Sequence, residues 1–121
     1  PGNFHVVGDT PHHWLFPRAS MVIHHGGAGT SHTASRAGVP SVVIPFTGDQ
    51  FFWADKLASA GIAPKYAHHT QINAQKLSSM IDFAAKPDVA GRAKVLGTAM
   101  AQEEGVACAV RYIERHMTKG V

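Results

Sequence analysis

His24-His25-Gly26-Gly27-Ala28-Gly29-Thr30-Ser31 follows the apolar run Met21-Val22-Ile23 and opens a stretch, rich in Ala and Ser, that stops at Gly38-Val39-Pro40. A buried strand that runs through glycines into a helix begins a βαβ unit. The helix is expected from Ala28 to Ala37, with Gly38 as its stop and Pro40 as the breaker beyond it. Val42-Val43-Ile44 then supplies the next parallel strand. Neither apolar run alternates with polar residues, so the strands Met21 to His24 and Ser41 to Pro45 are expected centrally, covered by helices on both faces.

Outward from this unit, Phe4 to Gly8 reads as an earlier strand. A loop from Phe46 to Asp49 leads into a helix from Gln50 to Ala60, stopped by Gly61, and Ala63 to Tyr66 reads as a fourth strand. Asn73 suits a helix N-cap, and Leu77, Met80, Ile81 and Ala84 recur at helical spacing until Pro87. Asp88 is expected to cap a helical tail to Met117, broken at Gly105, with an apolar face of Val106, Ala109, Val110 and Ile113. The fold class is α/β, a partial parallel sheet with flanking helices. A doubly wound sheet usually has six strands, so the chain reads as a portion of a larger protein whose first strand leaves an unpaired edge open to self-association.

The 121 residues are 45% hydrophobic and 16% charged, which suits one globular domain over 1–121. No apolar run approaches the roughly 18 to 20 residues of a membrane-spanning helix, and no secretion signal is expected. Eleven Lys and Arg against eight Asp and Glu give +3, but the basic residues are scattered, so nucleic acid is not an expected partner. Cys108 is the only cysteine, which excludes an intrachain disulfide and favours a reducing, cytoplasmic setting. It is expected to be buried and inert. Nine histidines raise the question of zinc, but there is no HExxH and no cysteine pair, and no metal site is expected.

At the junction from His24 to Ser31, the first N–H groups of the helix lack internal partners and point outward with the positive end of the helix dipole, which favours an anion. Glycines let a phosphate approach the backbone, and Thr30 and Ser31 add hydroxyls. The Lys of a P-loop is absent after Gly29, and His32 stands where a dinucleotide fingerprint needs its third glycine. A glycine turn needed only for packing is the alternative. The loop Pro45-Phe46-Thr47-Gly48-Asp49-Gln50 also follows a strand, so both loops would line one crevice at the carboxyl ends of the strands. There Asp49 and Gln50 suit sugar hydroxyls, unless Asp49 only caps the helix at Gln50. Trp53 is expected in the core, while Trp14 suits either core or stacking.

The blocks Pro11-His12-His13-Trp14-Leu15-Phe16-Pro17-Arg18, His24 to Thr30, Arg36-Ala37-Gly38-Val39-Pro40, Pro45 to Gln50 and Phe51-Phe52-Trp53 together resemble the donor-binding domain of UDP-sugar glycosyltransferases with the GT-B fold. The likeness is to sterol 3-beta-glucosyltransferases and bacterial relatives that glycosylate lipophilic natural products, and it covers nearly the whole chain. It implies the later part of a Rossmann-like C-terminal domain, with the acceptor-binding N-terminal domain absent. The implied reaction is inverting transfer of a hexose, expected to be glucose, from a UDP-sugar to a hydroxyl of a lipophilic acceptor. The UDP-sugar is a cosubstrate, and no cofactor or obligatory metal is implied.

Carried over by position, His25, Gly27, Gly29 and Thr30 would hold the diphosphate, Asp49 and Gln50 the sugar, and Thr10 and His12 the nucleoside. The aromatic residue that often stacks on the base is replaced by Asp9, and the ribose glutamate of many plant members by Thr33. The family's catalytic histidine lies in the N-terminal domain, so these residues alone are expected to be inactive, and the full-length enzyme is expected in the cytoplasm or peripherally at membranes. A non-catalytic sugar-nucleotide or phosphate-binding module is the alternative.

Overall fold

The computed structural model describes residues 2–120. A short helix α1 (His12–Leu15) runs on as a 3-10 turn, Phe16–Arg18, into strand β1 (Val22–His24). Helix α2 (Ala28–Arg36) crosses over to β2 (Ser41–Val43), and α3 (Gln50–Ser59), α4 (Ala74–Ala84), α5 (Pro87–Ala101) and α6 (Gly105–Lys119) follow. The strands pair in parallel with Val22 opposite Ser41, Ile23 opposite Val42 and His24 opposite Val43. The expected βαβ unit is therefore present.

Successive side chains of β2 point to opposite faces and seed two cores. Val43 packs with Ala54, Leu57, Ile62, Ala63 and Ala93, which brings α3 and α5 onto one face. Val42 packs with Ala67, Met80 and Ala84, which brings α4 onto the other. Phe16, Ala34 and Val39 form a third cluster under α1 and α2. The stop at Gly38 works as expected: at φ +73°, it lets its own N–H reach the Ser35 carbonyl and the Val39 N–H reach that of Ala34. A Cβ on Gly97 would stand 2.6 Å from the Gly38 Cα, so α5 lies directly on this turn. Asn73 caps α4 as expected, its Oδ1 accepting from the Lys76 N–H at 2.8 Å.

Several expectations are corrected. Residues 4–8 form no strand; Phe4 and Val6 stand in solvent, 78% and 95% exposed, because no neighbouring strand supplies a ladder. Residues 63–66 form none either. Ser41 donates to the Ile62 carbonyl, and pairing then stops at Pro64, which has no N–H to give. Neither strand is central, because the sheet of the described residues has only two: β2 is buried throughout, while Ile23 of β1 is 47% exposed. Asp88 does not cap α5: Pro87 takes the first helical position, and Asp88 pairs with Arg92 at 3.2 Å. Gly105 begins α6, the break falling at 102–104. No residue of α6 is buried, so Cys108 is exposed and Val106, Val110 and Ile113 face solvent. Helix α1 was not foreseen, being too short to show a period.

Candidate functional site

The glycine loop and the loop ahead of α3 meet at the carboxyl ends of β1 and β2. Gly26, at φ +91°, is their point of contact. A Cβ there would stand 2.9 Å from both the Gln50 carbonyl oxygen and Val43 Cγ1, so only glycine fits. His24 braces this turn. Its Nδ1 accepts the Gly26 N–H at 3.0 Å, and its Nε2 lies 3.0 Å from Ser41 Oγ. Burial, and to a smaller extent the neighbouring His25, push the His24 pKa down to about 4.

Gly27 ends the loop as the N-cap of α2, with no side-chain cap and no acidic residue in the first turn. The first helical bond runs from the Ser31 N–H to the Gly27 carbonyl at 2.9 Å. The amides of Ala28, Gly29 and Thr30 precede it and belong to the orphan donors of a helix start. His25 lies over this end: a Cβ on Gly27 would be 2.9 Å from its Nε2. Gly29 faces open space, with nothing near its Cβ direction. Ser31 is buried, and its Oγ has no partner among the described residues.

Asp49 occupies the cap position of α3 in helical geometry, and its carboxylate makes no cap bond. Its Oδ2 instead accepts from Trp53 Nε1 at 3.2 Å, which leaves the second carboxylate oxygen available to a hydroxyl. The capping alternative is thus set aside. Trp53 is half-buried rather than a core residue. Gln50 Oε1 accepts from the N–H groups of Phe46 and Thr47, at 2.8 and 3.1 Å. The side-chain oxygen of Gln50 thus folds the loop, while its amide N–H groups make no hydrogen bond among the described residues.

The nucleoside residues are less well joined to this arrangement. Thr10 Oγ1 donates to the Gly8 carbonyl and the His12 ring stacks on Phe16. No hydrogen bond links either residue to the two loops among the described residues. Helix α1 instead lies beside the later half of α2, where His13 and Pro17 share a hollow of about 220 Å³ with Thr33, Arg36 and Ala37.

The bracing roles of His24 and Ser41 were not foreseen, and Trp53 was expected in the core rather than against Asp49. The spacing of Trp53 one helical turn after Asp49 is in the sequence, but the strand register that sets His24 and Ser41 two places apart on one face is not. Among the described residues, no group of three or more His, Cys, Asp or Glu side chains is placed to hold a metal ion.

Residues 1–108 match the model of the erythromycin biosynthesis protein CIII-like C-terminal domain. The chain belongs to this family. It is a glycosyltransferase C-terminal domain, related to the sterol glucosyltransferases, and its small parallel sheet with flanking helices is the architecture of GT-B C-terminal domains. A sterol 3-beta-glucosyltransferase of Arabidopsis thaliana is 44% identical over 117 residues, which is 97% of this chain and 19% of that protein. The chain thus spans about a fifth of that relative. Among solved structures, the glycotransferase of kitacinnamycin superposes with a TM-score of 0.84 at 28% identity, covering 95% of this chain and 30% of that one. The spinosyn rhamnosyltransferase SpnG, complexed with thymidine diphosphate, gives 0.81 at 29% identity, covering 94% and 31%.

Proposed function

We propose that residues 1–121 form part of the donor-binding domain of an inverting glycosyltransferase that moves a hexose, glucose by preference, from a UDP-sugar to a hydroxyl of a lipophilic acceptor such as a sterol. The observation that carries this reading is the contact of Gly26 with Gln50, which sets an uncapped helix start beside a carboxylate and an amide. A nucleoside diphosphate sugar has that sequence of groups: an anion to lie on the amides of Ala28, Gly29 and Thr30 with His25 over it, and hydroxyls to meet Asp49 and Gln50. A family neighbour complexed with thymidine diphosphate supports a ligand of this class.

In the reaction, the acceptor hydroxyl displaces the diphosphate from the anomeric carbon with inversion. Negative charge then grows on the leaving phosphate, where the α2 amides and Thr30 donate to it. This chain binds and orients the donor. The base that takes the acceptor proton is assigned to a second, acceptor-binding domain, and the complete enzyme to the cytoplasm or a membrane surface. The test is titration of UDP, UDP-glucose and uridine, with a sterol-transfer assay on the protein at its natural length. Equal affinity for UDP and uridine contradicts the donor site, and tight UDP-glucose binding without transfer to any hydroxyl acceptor contradicts the enzyme.

A further inference from the structure

His24 stands between two elements that the donor site needs and is itself assigned no ligand. A ring nitrogen that accepts a hydrogen bond carries no proton, so acceptance of the Gly26 amide at Nδ1 puts the proton on Nε2, which donates it to Ser41 Oγ. Ser41 is fully buried in β2, an anchored acceptor. At its other end the imidazole holds Gly26, whose left-handed φ and contact with the Gln50 carbonyl set the spacing between the starts of α2 and α3. One ring thus ties the strand pair to the turn on which both loops depend.

We propose that His24 is a positioning residue for the donor diphosphate: it holds the Gly26 peptide so that the amides of Ala28, Gly29 and Thr30 converge on one anion, and it does not touch that anion. The proposal rests on the donor reading above. Two observations favour it over space-filling or direct charge. Both ring nitrogens are engaged within the protein, a demand that space-filling does not make. The low pKa of His24 keeps the ring uncharged at neutral pH; an imidazolium has no acceptor nitrogen and would release Gly26.

The test compares His24→Phe, which keeps a ring without nitrogens, with His24→Asn, whose side-chain oxygen can take the amide two residues on as an Asx turn. Both are made in the protein at its natural length. His24→Phe is expected to weaken UDP about tenfold while uridine stays within about twofold, and His24→Asn to recover most of the loss. Nitrogen-15 NMR of the unsubstituted protein is expected to show the Nε2–H tautomer with Nδ1 unprotonated, a readout that stands even where His24→Phe fails to fold. An unchanged UDP-to-uridine ratio in a folded His24→Phe protein overturns the proposal, as does His24→Asn no better than His24→Phe, or the opposite tautomer. His25→Ala and Thr30→Ala serve as references. If they also leave the ratio unchanged, the donor reading itself has failed; if they collapse it while His24→Phe does not, only the role of His24 is lost.

Discussion

Gly26 and Gln50 touch through backbone alone: a Cβ on the first would stand 2.9 Å from the carbonyl oxygen of the second. The glycine loop and the loop ahead of α3 are therefore one packed unit. Gly26→Ala would combine an unfavourable positive φ with overlap against Gln50 and Val43, at a cost of about 2–4 kcal/mol. Urea denaturation is expected to show that loss, with UDP-glucose binding reduced further than UDP binding because the two loops separate. A Gly26→Ala protein as stable as the parent contradicts this packing.

At the anion end, His25→Ala or Thr30→Ala should remove a donor to the phosphate. Each is expected to weaken UDP by about 1.5–3 kcal/mol, the range for hydrogen bonds to charged groups. Uridine, which has no phosphate, should bind unchanged, and calorimetric titration of both ligands reads the difference.

The proposed double use of Gln50, folding the loop and donating to the sugar, can be separated by substitution. Gln50→Glu keeps an oxygen for the Phe46 and Thr47 amides but loses the amide donor, so UDP-glucose should weaken while UDP does not. Gln50→Leu loses the loop bonds as well, and both ligands should weaken. Asp49→Ala is expected to cut transfer by about 10- to 100-fold with UDP affinity nearly unchanged. Trp53→Phe, which frees the carboxylate without removing it, should give a smaller loss in the same direction. An Asp49→Ala protein with normal transfer and altered UDP binding would reverse the orientation of the ligand.

How far these parts could be read from the sequence depended on how local their causes are. The Gly38 stop, the Asn73 cap and the β2 run Val42-Val43 act within a few residues and were legible. The two outer strands were not, because a strand exists only with a partner: residues 4–8 meet none, and Pro64 ends pairing just after Ile62. The glycine and Asp-Gln blocks were visible as segments. Their braces, His24 to Ser41 and Trp53 to Asp49, were not, since His24 needs the strand register and Trp53 needs Asp49 to forgo its cap.

His24 also gives the stability a pH dependence of known sign. Its folded pKa of about 4 lies below the unfolded value of 6.5, so between these values the unfolded chain binds the proton more readily. The contribution is fully present above about pH 6.5 and is lost as the pH falls toward 4. Because the ring is only partly buried, the loss is on the order of 1 kcal/mol rather than the full shift. Melting temperature should therefore fall between pH 6.5 and 4 by more in the parent than in His24→Asn, which has nothing to titrate there. Equal slopes would mean that His24 is as accessible to protons in the folded chain as in the unfolded one.

The open flank of β1 and the bare face of α6 bear on association. Ile23 is 47% exposed beside an unpaired strand edge, and Val106, Val110, Ile113 and Met117 recur along α6 at 47–82% exposure. An edge of free backbone groups and an uncovered apolar stripe both gain by meeting another surface. The 121-residue chain by itself is expected to associate as its concentration rises, by sedimentation velocity. Ile23→Lys should weaken association if the strand edge drives it, and Val110→Glu with Ile113→Glu if α6 does, since a charge in either contact has to be desolvated. A stable monomer across the concentration series would show that neither surface seeks a partner, and the link between the open β1 flank and self-association would fall.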